Sequence, residues 1–254
     1  MKQTIILLLS IVLLIMAFPF HSSGNNREID FNFPRDVSNE ALTDLDKALK
    51  SGDGELTIDA LVRYGIAKSS VSKDNMADII SRIDAAINSE KRPHIRALLT
   101  HLEARVYQGY RDRYARWSDR QNPVDELPAD ISEWDRDQFS HKITQLVEAS
   151  LSNPDALKAV PVTTLPNIIT CNELGATYVP TLLEFLSMKG LELLFETDEE
   201  TEPLYNRILQ QWVDGTEGNT PAHIFAISTV APLSHGLYDY YKEYQRYRDN
   251  EHCA

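Results

Sequence analysis

Five arginines, three tyrosines and a tryptophan crowd into residues 105–120, RVYQGYRDRYARWSDR. Single-stranded nucleic-acid binders use this mix of guanidinium and ring for phosphate contact and base stacking. The balance of the chain speaks against that use, because 38 acidic residues face 25 basic ones and such a surface repels phosphate. The structural reading is a helix end whose arginines favour the negative dipole terminus and whose rings pack on a neighbour. A third reading has Arg111, Arg113 and Arg116 meeting an acidic patch on a partner domain. A second aromatic set closes the chain: Tyr238, Tyr241 and Tyr244 recur at steps of three, and Tyr240, Tyr244 and Tyr247 form another row. Core packing is the default account of such a face, and an interaction surface is its rival where the face is bare.

The other reactive residues are scattered. His94 and His101 stand seven apart, on one helical face, with no third ligand near them in the sequence, so a solvated or capping role is expected rather than a metal. The order His101-Leu-Glu-Ala-Arg lacks the second histidine that a zinc helix places at i+4. Residues 196–202, ETDEETE, gather carboxylates of the kind calcium takes but lack the glycine and alternating spacing of a formed loop, and as acids ahead of a helix they suit its positive end. Cys171 and Cys253 are the only cysteines; they pair in an oxidising compartment or stay as separate thiols. No nucleophile elbow, phosphate loop or dinucleotide glycine pattern occurs. Neither enzyme chemistry nor a cofactor is therefore expected.

The elements that hold these residues are helical. Thr4 to Phe20 is a run of seventeen residues without a charge, behind Lys2 and ahead of Ser22-Ser23-Gly24. This is the pattern of a secretory signal peptide; an uncleaved anchor is the alternative. With residues 1–24 as signal, the mature chain keeps 24 basic and 38 acidic residues, a formal charge of −14, and carries no lipid-attachment cysteine at its start. A periplasmic or secreted protein follows, with protein partners expected, nucleic acid disfavoured, and no membrane contact beyond the signal segment. Residues 25–37 are expected to be extended, and 38–254 to form a helical domain. Leu42, Leu45 and Leu49 make one stripe behind an N-cap at Ser38; Ile58, Leu61, Val62 and Ile66 make a second; Met76, Ile79, Ile80, Ile83 and Ile87 a third behind Asp74, with Asp78, Arg82 and Asp84 outside; Ile95 through Tyr110 a fourth, opened by Pro93. The starts at Ser38 and Asp74 lie 36 residues apart, a spacing that suggests tetratricopeptide-like hairpins, although the aromatic and small-residue signature of that repeat is missing. The expected architecture is an all-α array of antiparallel helical hairpins with irregular proline-rich connections at 118–137 and 152–178. Helices then follow from Phe139, Pro180, Pro203 and Pro221. The final helix keeps its character to Ala254 without a stop signal, which suggests a first piece of something longer.

Several strings, DALVRYGIAKS (59–69), KDNMADIISRIDAAINSEKRP (73–93), PADISEWDRDQFSHKITQLVEASL (128–151) and YVPTLLEFLSMKGLELL (178–194), together resemble the N-terminal helical region of the very large alpha-2-macroglobulin-like proteins of Bacteroidetes. The resemblance implies an exported protein whose helical region precedes macroglobulin-type β-sandwich domains, in a family where some members trap proteases. Their thioester joins a cysteine to a glutamine three positions on. Here Leu174 follows Cys171 at that position, so the covalent step is absent from these residues. The expected function is a non-enzymatic interaction or scaffold module; a helical nutrient-binding protein serving an outer-membrane importer is the alternative.

Overall fold

The computed structural model describes residues 34–69, 75–114, 123, 126–171, 173–194 and 202–230, and this portion is all helical. Ten α-helices follow one another: α1 Pro34–Ser51, α2 Gly54–Ser69, α3 Met76–Ser89, α4 Pro93–Tyr114, α5 Arg136–Ser150, α6 Pro154–Lys158, α7 Glu173–Tyr178, α8 Leu182–Leu194, α9 Glu202–Gly215 and α10 Thr220–Val230. Short 3-10 turns at Ile131–Glu133 and Val162–Thr164 interrupt the connections. Pairing of extended backbone is limited, among the described residues, to a single bridge between Pro161 and Thr181. The segment expected to be a signal peptide, Asp74, the acidic run 196–201, Cys253 and everything after Val230 lie outside the described residues.

Local chemistry explains several helix ends. α1 begins at Pro34, four residues before the expected cap at Ser38, because proline's fixed φ and missing N–H suit a first helical position. The expected extended segment therefore gives way to helix over 34–37. The chain leaves α1 through Gly52, whose φ of 69° is left-handed, and Asp53 then caps α2 by accepting from the backbone N–H groups of Glu55 and Leu56. Arg92, gripped by Glu90, donates at 3.0 Å to the carbonyl of Gly52 and so fastens this turn to the start of α4. That guanidinium holds the Glu90 carboxyl down at about 2. α5 opens on a capping box in which Asp135 accepts from the N–H of Gln138 and the Gln138 side chain accepts from the N–H of Asp135. At α8, Glu184 reaches back to both the N–H and the hydroxyl of Thr181.

One hydrophobic core runs from Leu45 to Ala226. Its axis is α4, which packs on α2, α3, α5, α6 and α8 and buries residues on every side, from Ile95 and Leu99 to Ala104, Tyr107 and Tyr110. Close approach between α5 and α8 depends on Gly190, where a Cβ would stand 2.9 Å from a methyl of Val147. The described part of the connection expected to be solvated, Pro123 and residues 126–137, folds back onto the body. Trp134 stacks on Tyr107 with centroids 5.5 Å apart, and Phe139 sits against both rings and Tyr110. The Trp134 indole donates to the carbonyl of Pro128, and the Gln138 amide donates to those of Pro123 and Glu126. At the far end Trp212 of α9, fully buried, meets Phe225 of α10, which in turn meets Tyr178 of α7.

Candidate functional site

The apolar stripes are not wholly consumed by the core. Leu45 and Ala48 are buried while Leu49 is 41 % exposed, and on α2 Ile58, Leu61 and Tyr64 are buried while Ile66 is 54 % exposed. Ile66 is exposed because it stands on one lip of an open groove of about 250 Å³ between α2, α3 and α4. Ile79 and Ile83 of α3 and Leu61 of α2 form its floor, with Val62 and Ile66 on one wall and Leu102 and Val106 on the other. Gly65 and Gly109 keep it open: a Cβ on Gly109 would meet nothing within 4 Å, and one on Gly65 only the methyl of Ile79 at 3.7 Å.

Two arginines of the 105–120 segment belong to this groove. Arg105 and Arg113 are exposed, line it, and stand eight residues apart on α4, about 12 Å along its axis. Arg105 reaches only the side-chain oxygen of Gln108, at 3.5 Å, and Arg113 lies over the ring of Tyr114 with its guanidinium 6.0 Å from the centroid. Among the described residues, neither has a carboxylate partner and no acid lines the groove. The third arginine expected on this surface behaves otherwise. Arg111 is 1 % exposed, bonded to Asp112 and the hydroxyl of Ser140, because α4 is enclosed on that side by α5. It holds helices together and is not available to a partner. Arg116, Tyr238, Tyr241 and Tyr244 lie outside the described residues.

The remaining chemistry-bearing residues sit in the body. His101 is 3 % exposed rather than solvated or capping; its burial, with Arg105 and Lys189 nearby, pushes the imidazole down to about 3, so it is neutral. Glu103, 2 % exposed, is pushed up to about 7 by burial and by Asp84 of α3, while Lys142 of α5, 3.9 Å from its carboxylate, acts the other way. A neutral histidine and a carboxyl that titrates near neutrality are the ingredients of acid–base chemistry. They are two residues apart on one helix, however, hence on different sides of it, and both are shut off from solvent. Asp78 and Arg82, expected on a plain solvated face, instead engage Tyr64: its hydroxyl donates to Asp78 and Arg82 lies over its ring at 5.0 Å. Burial and Asp78 raise that phenol to about 12. Cys171 is half-buried, its thiol raised by burial. Among the described residues, no three of His, Cys, Asp and Glu gather as metal ligands, and no helix is long and apolar enough to cross a membrane.

The groove was not legible as a motif. Its traces are Gly65 and Gly109 inside helical stripes, each next to or near an aliphatic residue, and arginines two turns apart. No family model, curated protein or solved structure matches the chain.

Proposed function

We propose that this chain is an exported, non-catalytic interaction module that receives another protein segment along the α2–α3–α4 groove. The observation that carries the reading is an aliphatic trough left open at the surface with Ile66 more than half exposed on its lip. Its aliphatic side chains are continuous and rimmed by charge, the arrangement that marks interaction surfaces where it is exposed. A small-molecule site typically encloses most of its ligand in a deeper cavity with convergent polar groups; this groove is shallow and apolar, and its only charges among the described residues are the two rim arginines. The resemblance to the leading helical region of alpha-2-macroglobulin-like proteins fits the same role, in which the partner is a following domain of the same polypeptide or another exported protein. The nutrient-binding alternative requires an enclosed ligand site, which the groove does not offer.

The test is a photo-crosslinking residue placed at position 66 in the chain expressed in its native host. A single defined protein adduct is expected, absent when the same residue replaces Ile224, which is also exposed but lies on α10. Equal labelling from both positions, or none from either, refutes the reading. Stabilisation of the purified chain by a sugar, peptide or metal complex, without effect of substitution at Ile66, would favour the nutrient-binding alternative.

A further inference from the structure

The groove carries information about its occupant as well as its existence. Its walls run from Leu61 to Ser69 on α2 and from Leu102 to Tyr114 on α4, spans of about 12 and 18 Å at the helical rise, with isoleucines of α3 between them. This length suits three turns of helix laid with an apolar face inward, the mode in which anchors at i, i+3, i+4 and i+7 fill a groove between helices. Arg105 and Arg113 then stand at the groove's edge two turns apart, where carboxylates at the same separation on the occupant come within reach. The chain as a whole is acidic, with a formal charge of −13, yet among the described residues no acid lines the trough. At physiological ionic strength charges are screened beyond about 8 Å, so the two guanidinium groups that line the groove weigh more on the local preference than carboxylates farther from it.

We infer that the occupant of the groove is an acidic amphipathic helix, its aliphatic face on Ile66, Val62, Leu102 and Val106 and two of its carboxylates, eight residues apart, on Arg105 and Arg113. This inference rests on the interaction-module reading and adds the chemistry of the partner. Each rim pair is a solvent-exposed ion pair, so the two together are worth about a tenfold change in affinity.

The experiment uses the mature chain and two fluorescently labelled 18-residue synthetic helices, read by anisotropy. Both carry leucines at the i, i+3, i+4, i+7 spacing; one has glutamates eight residues apart beside that face, the other lysines at the same positions. The glutamate peptide is expected to bind roughly tenfold tighter, and the double variant Arg105→Glu, Arg113→Glu, which alters exposed positions only, is expected to reverse the order. Gly109→Leu supplies a second test that spares the core: the new side chain meets no heavy atom within 4 Å at its Cβ, fills the trough, and abolishes binding of the glutamate peptide while circular dichroism and the unfolding midpoint hold. Equal binding of both peptides, blocked by Gly109→Leu, overturns the acidic partner and leaves the groove a protein-binding surface. Binding unaffected by Gly109→Leu overturns the site. Failure of both peptides to bind, with self-association that Gly109→Leu removes, overturns the inference in favour of a second copy of the chain. Failure of the peptides together with loss of the position-66 adduct overturns the inference and the interaction-module reading alike.

Discussion

Glu103 and His101, two residues apart on the central helix, should make opposing contributions to stability that conceal one another in the wild-type protein. Glu103 keeps its proton in the folded chain up to about pH 7, whereas an ordinary glutamate loses it near 4.5. Between those values the folded state holds one more proton than the unfolded state, so stability falls as pH rises. His101 is the reverse case: the folded chain resists protonation down to about pH 3, against an ordinary value of 6.5, so through that interval stability rises with pH. Each slope is about 1.4 kcal/mol per pH unit, and where the windows overlap, from 4.5 to 6.5, the two cancel. Glu103→Gln removes one of them. Relative to wild type it should gain stability across pH 4.5 to 7, by roughly 3 kcal/mol in all, and its own profile should climb toward neutrality. His101→Leu should do the opposite and decline over the same range. Asp84 and Lys142 face Glu103 in both proteins, so the difference taken at each pH isolates the carboxyl itself. Urea unfolding of wild type and both variants in buffers from pH 4 to 8 measures it. A Glu103→Gln difference that stays level from 4.5 to 7 would show that the carboxyl is ionised in the folded chain and refute the reasoning.

Gly54→Ala should cost about 1–3 kcal/mol, because its Cβ would stand 2.6 Å from Ile95 and 2.8 Å from the Arg92 guanidinium that fastens the α1–α2 turn; thermal unfolding reads the loss. Asp135→Ala removes one half of the capping box of α5 and should cost about 1 kcal/mol, seen as a lower urea midpoint with an unchanged slope. Ser187→Ala should stabilise the protein by about 1 kcal/mol, since the serine is fully buried and its hydroxyl has no partner among the described residues; a lower midpoint would mean that the hydroxyl is bonded after all.

The helical periods at Met76, Ile79 and Ile83 and at Ile95, Leu98 and Leu99 read through to buried faces, since a repeating apolar stripe has one stable use in a helix of this kind. Prolines at 93, 154, 203 and 221 stand within the first two residues of their helices. Periodicity does not say which stripe residue meets solvent, and Leu49 and Ile66 are exposed although their spacing matches that of Leu45 and Leu61. Nor does it reveal a helix enclosed on all sides. Arg111 and His101 look like surface residues in the sequence because their burial comes from α5 and α8, far along the chain. Prolines and acids predict a solvated segment over 118–137; the Trp134–Tyr107 stack and the two Gln138 amide bonds that hold its described part in place join residues 12 to 27 positions apart.

The enclosure of α4 bears on how this protein comes apart. In a linear solenoid each unit touches only its neighbours, so terminal units can fray, be deleted or be duplicated while the rest persists. Here α2 and α3 from before α4, and α5, α6 and α8 from after it, all lean on one 22-residue rod. Peeling away either side leaves that rod with a bare apolar flank, so the two halves fail together. Amide hydrogens along Leu98 to Tyr107 should therefore exchange only through global opening, while those near Ser51 and Gly215 exchange through smaller excursions. The body is in this sense a single cooperative unit whose length is fixed by its central helix, and the groove between α2, α3 and α4 inherits the rigidity of that helix on one wall.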